Sequence, residues 1–274
     1  MKIYLMGGLG NNIFQVLATL DSRNKPVYSS FLQRSNVITR FLGWTIHENV
    51  IEQLFDLELV QPRGSFLSEA LDVLLLASSK ILGCEVLSRN YMNSTPYLKQ
   101  IIYSTKLGGY MHPVSLEQFN FLSTKRNFFK ASIDSVEQIG VHVRRGDLGD
   151  NAALGLLESE TFNNVVKKEA SYSEYPIVVY TNDKSWCERN LTFDYEFSQC
   201  LPGFNPVVSD FIGLASSATL ICSNSTFSYT AAMLGCNERV LVPSPFFKSE
   251  SIYVPDKWIP FPVSYTHLTL PTIA

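Results

Sequence analysis

The sequence predicts an α/β fold with parallel strands, and three segments carry that prediction. In each of them an apolar run typical of a strand ends in glycines or small polar residues, and a helical pattern follows. The run Pro176–Tyr180 is apolar throughout, as expected of a parallel strand that helices cover on both faces. Strands and helices that alternate in this way are typical of doubly wound sheets, which bind ligands at the carboxyl ends of their strands.

The first such segment places a glycine-rich turn, Gly7–Asn12, between a strand over Lys2–Met6 and an amphipathic helix that reaches Leu20. Glycines at a helix N-terminus let a ligand approach the backbone closely. The candidate ligand contacts in this turn are Gly8, Gly10 and Asn11. A purely structural tight turn, with Asn11 or Asn12 as the helix cap, is the alternative interpretation.

The same turn begins like a dinucleotide-binding fingerprint but does not complete it. The third glycine of that fingerprint is replaced by Ile13, and the next candidate strand, Val27–Ser30, ends without an acidic residue for a ribose. The sequence therefore excludes the common dinucleotide site at this position.

The segment Ile139–Asp147 brings an imidazole and two guanidiniums to the end of one strand. Two valines alternate there with His142 and Arg144, which predicts an apolar face and a polar face, and Arg145 begins the turn. Adjacent arginines present rigid donor pairs that match phosphate oxygens. An arginine pair that forms only surface salt bridges is the alternative.

The strand Pro176–Tyr180 leads to Thr181, Asn182 and Asp183. A carboxylate at this strand end would point into the ligand-binding crevice at the carboxyl ends of the strands. There it could accept hydrogen bonds from a ring N–H and an exocyclic amine of guanine. Asp183 could equally cap the helix that starts at Lys184.

A third strand, near Thr219–Cys222, runs into a row of hydroxyl and amide side chains and then into a helix that should end at Gly235. The candidate phosphate contacts are Asn224, Ser225 and Thr226, because they lie at a helix N-terminus. Ordinary capping by Ser223 or Asn224 needs only one such residue. Another strand follows at Arg239–Pro243.

Composition excludes some classes of function. The net charge of −3 argues against nucleic acid as a partner, because a surface for phosphate backbones usually shows an excess of base. Five cysteines without zinc-ligand spacing are typical of reduced thiols in a cytoplasmic protein. The apolar run Leu71–Ala77 is too short to span a bilayer, and no signal peptide precedes the first strand. We therefore expect the protein to be cytoplasmic, either free or at the inner face of the membrane.

These motifs, in this order, resemble glycosyltransferase family 11, the bacterial α-1,2-fucosyltransferases, from Met1 to about Pro262. The chain matches the family's glycine loop, its H-x-R-R-x-D motif over His142–Asp147 and its N-S-T-F-S segment over Asn224–Ser228. Gly109–His112 is similar to a further family segment. Two departures are Asn12, where glutamine is usual, and Tyr229-Thr230, where two tryptophans are common.

The resemblance implies a GT-B architecture, in which two doubly wound, Rossmann-like domains face a cleft. Residues 1–134 would form the acceptor side with the glycine loop, and residues 135–263 would bind the GDP-sugar. Residues 264–274 resemble translated adapter sequence and are expected to be a non-native tail. A genuine closing strand around Tyr265–Leu270 is the competing interpretation.

The resemblance also implies the reaction, which is inverting transfer of L-fucose from GDP-β-L-fucose to the 2-hydroxyl of a terminal galactose. The acceptor would be an oligosaccharide or a lipid-linked glycan. The chain has no D-x-D pair, so no metal is expected, and Arg144 and Arg145 would stabilise the leaving pyrophosphate with the helix N-terminus at Ser225-Thr226. His142 would contact guanine or ribose, and Asp147 would order the arginines. Alternatives are a GT-B transferase for another GDP-sugar and a non-catalytic nucleotide- or glycan-binding module.

Overall fold

A computed structural model of the chain describes residues 2–5, 7–20, 27–29, 50–57, 113, 115–130, 133–145, 156–247 and 252–263. The chain divides into two compact units, Met1–Pro113 with Glu117–Ala131 and Val114–Leu116 with Ser132–Ala274. Asp147, Gly109–His112, the run Leu71–Ala77 and the last eleven residues, 264–274, lie outside the described residues. The acceptor side and the GDP-sugar side assigned above to residues 1–134 and 135–263 stay predictions.

The first unit begins as the sequence predicts, with a strand, a glycine turn and a helix. Strand β1, Lys2–Tyr4, pairs in parallel with β2, Val27–Ser29, and α1, Leu9–Thr19, connects them. The apolar face of α1 is fully buried, which explains why its apolar residues recur with helical spacing. Further along the chain lie the 3-10 helix Ile51–Gln53, helix α2 over Leu116–Ser123 and the 3-10 helix Thr124–Phe128.

The second unit is a six-stranded parallel sheet with helices on both faces. Its strands are β3 (Val136–Val143), β4 (Ile177–Thr181), β5 (Glu196–Phe197), β6 (Ser217–Ile221), β7 (Arg239–Ser244) and β8 (Ile259–Pro262). Its helices are α3 (Ser159–Ala170), α4 (Lys184–Asn190), α5 (Pro206–Ser216) and α6 (Thr226–Leu234). This architecture confirms the predicted α/β class.

The strand order β5-β4-β3-β6-β7-β8 is that of a doubly wound sheet. From β3 the chain first winds outward through β4 to β5, then returns to pair β6 with the other side of β3. The topological switch point therefore lies between the carboxyl ends of β3 and β6. In open α/β sheets this crevice is where ligands bind.

Each face of the sheet has its own helical cover. Ile139, Val141 and Val143 of β3 pack with α3 and α4, in a cluster that includes Phe162 and Cys187. His142, on the opposite face of the same strand, packs against Phe227 of α6. The valines and His142 thus lie on opposite faces of β3, as the alternation predicts. Because α5 and α6 bury the His142 face as well, the alternation does not separate core from solvent.

Gly140 permits the close approach of β3 to the first residue of β6. A Cβ atom at this position would lie 2.3 Å from the Ser217 Oγ and 3.6 Å from the Leu214 Cδ2. No side chain larger than hydrogen fits without displacing Ser217, so the residue type at 140 fixes how tightly the two strands meet next to the switch point.

Candidate functional site

The predicted H-x-R-R motif lies at the carboxyl end of β3, with the end of β4 on one side and the loop after β6 on the other. The register pairs His142 with Tyr180 of β4, and Val141 with Ile221 of β6. The arginines, the Asn182-Asp183 pair and the 224–226 loop were predicted at three strand ends, and these three ends are neighbours in the sheet.

His142 is buried and hydrogen-bonded. Only 5% of its surface is exposed, its Nδ1 lies 2.7 Å from the Ser223 Oγ, and its ring centroid lies 5.3 Å from that of Phe227. Burial, together with the charge of Arg144, lowers the pKa of His142 to about 3. The imidazole is therefore neutral at physiological pH and adds no positive charge to the site, while its link to Ser223 ties β3 to the loop after β6.

Arg145 is held through its backbone by Asn182. The Arg145 N–H donates to the Asn182 Oδ1 at 2.9 Å, and the Asn182 Nδ2 donates to the Arg145 carbonyl oxygen at 3.2 Å. One residue beyond the end of β4, the side-chain amide of Asn182 thus forms the pair of hydrogen bonds that the backbone of an adjacent strand would form. Asn182 was predicted to contact substrate, and the structure shows that both ends of its amide are used by the protein.

The side chain of Arg145 is fixed as well. Its guanidinium carbon lies 4.0 Å from the ring centroid of Trp186, and its Nη1 donates to the Leu157 carbonyl oxygen at 2.8 Å. Burial lowers the pKa of Arg145, and the carboxylates of Glu158 and Asp183 oppose that effect. Sequence reasoning did not single out Trp186 or Leu157; the available signal was an aromatic residue in the first turn of the helix that follows the neighbouring strand.

The two adjacent arginines have different surroundings. Both are partly exposed, but Arg145 packs toward α4, whereas Arg144 lies close enough to His142 for its charge to lower the histidine pKa. The alternative interpretation, a pair that forms only surface salt bridges, does not hold for Arg145, because an aromatic ring and a carbonyl oxygen hold its guanidinium.

Asp183 caps α4, as the alternative interpretation of the sequence had it. Its Oδ1 accepts a hydrogen bond from the Trp186 N–H at 2.9 Å, and its own N–H donates to the Thr181 Oγ1 at 3.0 Å. The same carboxylate therefore places Trp186 at the start of the helix. Contact with guanine through this carboxylate stays a prediction.

The loop after β6 is compact and begins helix α6. Ser225 is the N-cap and accepts from the Phe227 N–H at 3.3 Å, which leaves Thr226 as the first helical residue. The Ser223 carbonyl oxygen accepts from the Ser225 N–H at 2.8 Å and the Ser228 hydroxyl at 3.2 Å. Asn224 is almost fully buried. The cap of α6 is therefore Ser225, not Ser223 or Asn224 as the capping interpretation had it. Phosphate contact by Asn224, Ser225 and Thr226 stays a prediction.

In the other unit, helix α1 starts earlier than predicted. Gly8 is the N-cap, so Gly10 and Asn11 lie inside the helix and neither Asn11 nor Asn12 caps it. The reason is local: Gly7 adopts a φ of +79°, and the Asn12 Nδ2 turns back to donate to the Gly7 carbonyl oxygen at 3.1 Å. Among the described residues, the buried Asn11 Oδ1 has no hydrogen-bond partner.

Tyr229, one of the departures from the family pattern, is a core residue. It is fully buried, its ring contacts Phe246 and Trp258 edge-on, and its hydroxyl donates to the Tyr253 carbonyl oxygen. The helix that contains it ends with Gly235 as the C-cap, as predicted. Position 229 therefore supports packing behind the loop rather than its ligand side.

The described part of the chain contains neither a cluster of metal-binding side chains nor a helix that could span a membrane. No group of three or more histidine, cysteine, aspartate or glutamate side chains is arranged to hold a metal ion there. Within the same ranges, no helix combines the length and the apolar character needed to cross a membrane.

Comparison with known families identifies the chain. Residues 113–259, more than half of its length, match the family model described as glycosyl transferase family 11. The chain therefore belongs to glycosyltransferase family 11, as the motifs at 142–147 and 224–228 indicated. No curated protein sequence matches it.

Several solved structures are similar to the whole chain at low identity. The fucosyltransferase NodZ from Bradyrhizobium is 13% identical, with a TM-score of 0.48 over 85% of this chain and 91% of that chain. A family 9 glycosyl transferase from Veillonella parvula is 11% identical, with a TM-score of 0.42 over 95% of this chain and 85% of that chain. The E. coli heptosyltransferase WaaC is 9% identical, with a TM-score of 0.42 over 95% of this chain and 92% of that chain. The family assignment rests on the family model alone.

Proposed function

We propose that the chain is a galactoside α-1,2-fucosyltransferase, which moves L-fucose from GDP-β-L-fucose to the 2-hydroxyl of a terminal galactose. The observation that carries the proposal is the arginine pair at the end of β3, opposite the N-terminus of α6, in a chain of family 11. The acceptor is an oligosaccharide or a lipid-linked glycan, and the reaction takes place in the cytoplasm or at the inner face of the membrane.

The arginine pair suits the leaving group of this reaction. Breaking the bond between C1 of fucose and the phosphate oxygen leaves GDP, whose charge needs stabilisation in the transition state. Arg144, Arg145 and the N–H groups at the start of α6 supply it without a metal ion. Two properties support this role: Arg145 is already fixed in place, and the strand ends that carry these groups are neighbours.

The remaining candidates recognise the rest of the donor. His142, neutral and fixed through Nδ1, exchanges a hydrogen bond with guanine or ribose. Asp183 accepts hydrogen bonds from guanine with the carboxylate oxygen that does not cap α4. Asp147 orders the arginines by a salt bridge. Gly8, Gly10 and Asn11 belong to the acceptor side.

The reaction inverts the configuration at C1. The galactose 2-hydroxyl oxygen bonds to C1 as the C1–O bond to phosphate breaks, and a base accepts the hydroxyl proton. The charged products are GDP and the protonated base, and the fucoside is left in the α configuration.

The test incubates the protein with GDP-fucose and a galactose-terminated acceptor, with EDTA and without added metal. We expect GDP release and a product whose NMR spectrum shows an α-1,2 linkage. Turnover of a different GDP-sugar instead would replace the donor in the proposal. Tight GDP binding without turnover of any GDP-sugar would favour the non-catalytic module. Strict dependence on magnesium or manganese would contradict stabilisation by the arginines.

A further inference from the structure

Arg145 is immobilised by residues outside the arginine motif. Trp186 lies under its guanidinium at 4.0 Å, and the Leu157 carbonyl oxygen accepts from Nη1 at 2.8 Å. Asn182 brackets its backbone with hydrogen bonds of 2.9 and 3.2 Å. Backbone and side chain are thus both held by contacts within the protein.

This arrangement leaves most of the guanidinium available. Trp186 covers one face, and Leu157 takes one of the five N–H groups; within the described ranges the other four have no protein acceptor. An arginine whose rotamer is already fixed loses little entropy when it binds an anion, whereas a mobile one must be ordered first.

We propose that Trp186 and Asn182 are positioning residues, which pre-organise Arg145 for the pyrophosphate of the GDP-sugar donor. The inference rests on the proposed function, and it deepens that function by giving Arg145 a supporting layer. Trp186 acts through Arg145 and touches no substrate. Asn182 is thereby reassigned from substrate contact to support of the arginine backbone.

The chain itself keeps these supports in register. Asp183 caps α4 by accepting from the Trp186 N–H, and Asn182 immediately precedes that cap. A single short segment after β4 therefore fixes both the backbone and the side chain of Arg145. Within it, Asn182 holds the backbone, Asp183 caps the helix and Trp186 stacks on the guanidinium.

The test is a double-mutant cycle measured as kcat/KM for GDP-fucose and as GDP affinity by calorimetry. Trp186→Leu removes the ring face and should lower kcat/KM about tenfold, while Trp186→Phe should recover most of that loss. In an Arg145→Ala background, Trp186→Leu should have no further effect, because the guanidinium that Trp186 holds is no longer present. Asn182→Ala should behave like Trp186→Leu, and Asn182→Asp should be intermediate because it keeps only the acceptor.

Phe162→Leu is the matched control. Phe162 lies on α3 and belongs to the same cluster, and its ring meets that of Trp186 edge-on with 6.5 Å between the ring centroids. It should lower Tm and leave kcat/KM unchanged. A purely structural Trp186 would instead lower kcat/KM by the same factor with or without Arg145, and that result would overturn the inference, as would wild-type kinetics of Trp186→Leu.

The two proposals fail in different ways. A wild-type protein that binds GDP but does not use GDP-fucose contradicts the proposed donor, and the cycle in GDP affinity still decides the roles of Trp186 and Asn182. Failure of the wild-type protein to bind GDP contradicts both proposals.

Discussion

At the scale of single residues, the two arginines of the motif are both partly exposed but have different neighbours. Arg145 contributes to packing through Trp186, whereas Arg144 is the neighbour whose charge reaches His142. The pair should therefore not be treated as equivalent in mutagenesis, although both are placed at the same strand end.

Alanine at each arginine tests this difference. Arg144→Ala should lower kcat/KM about a hundredfold with little change in Tm, because a partly exposed charge adds little to folding. Arg145→Ala should lower kcat/KM and also Tm, since it removes a ring contact and a hydrogen bond worth about 1 kcal/mol each. Lysine should rescue either position only in part. Near wild-type kcat/KM for both alanine variants would contradict the proposed anion site.

The buried His142 gives a pH-dependent contribution to stability. Its pKa is about 3 in the folded protein and 6.5 when unfolded, so the unfolded chain binds the proton more tightly. The contribution is complete above pH 6.5 and is lost as the pH falls toward 3, by up to about 1.4 kcal/mol per pH unit.

Thermal unfolding between pH 8 and pH 4 measures this contribution. His142→Asn keeps a hydrogen-bonding group near Ser223 but does not titrate. The wild-type Tm should therefore fall faster with acid than the Tm of the variant, and parallel pH profiles would contradict the burial of a neutral imidazole.

At the scale of secondary structure, the candidate site residues lie at the ends of elements, where Asp183 and Ser225 cap helices and are also proposed to bind the donor. Asp183 is the example in which the two roles can be separated. Asparagine keeps an Oδ1 for the Trp186 N–H but removes the charge, whereas alanine removes both.

Asp183→Asn should keep the wild-type Tm and reduce the preference for GDP over IDP, which lacks the exocyclic amine of guanine. Asp183→Ala should in addition lose about 1 kcal/mol of stability. Asn205→Ala is the control, because it removes the cap of α5, where Asn205 accepts from the Val207 N–H at 3.0 Å. It should lower Tm without changing the preference between nucleotides. An unchanged preference in Asp183→Asn would leave Asp183 with the cap alone.

The strands could be predicted from the sequence, and several of the contacts could not. Apolar runs such as Ile177–Tyr180 identify buried parallel strands, because helices cover such strands on both faces. The burial of His142 depends on a second layer of helices from residues 206–234, which its own strand cannot reveal. The stacking of Trp186 on Arg145 joins two elements that become neighbours only when the sheet forms.

At the scale of the whole molecule, the carboxyl ends of β4, β3 and β6 bring together residues that are distant in the sequence. The motif order resembled family 11, but the strand order followed only from the structure, because parallel pairing does not leave a local signature. The first unit was less predictable: the cap of α1 comes from the backbone conformation of Gly7, which no side-chain pattern encodes.

The end of the chain provides a test at this scale. Val263 packs against the core cluster, and its N–H donates to the Ser244 carbonyl oxygen at 3.3 Å. Truncation after Val263 keeps these contacts and should leave Tm and fucose transfer unchanged. Truncation after Lys257 removes the buried Trp258 and Phe261 and should abolish cooperative unfolding. A clear loss in the first variant would show that residues 264–274 belong to the fold.

The position of β3 in the sheet has a consequence for biosynthesis. Translation delivers this strand before every other strand of its unit, yet its partner β6 begins only at Ser217 and the edge strand β8 only at Ile259. During elongation one side of β3 remains an unpaired row of amides and carbonyls, a surface that recruits stray strands. We therefore expect the nascent chain to be most prone to wrong strand pairing until Ser217–Ile221 has left the ribosome and can pair with β3.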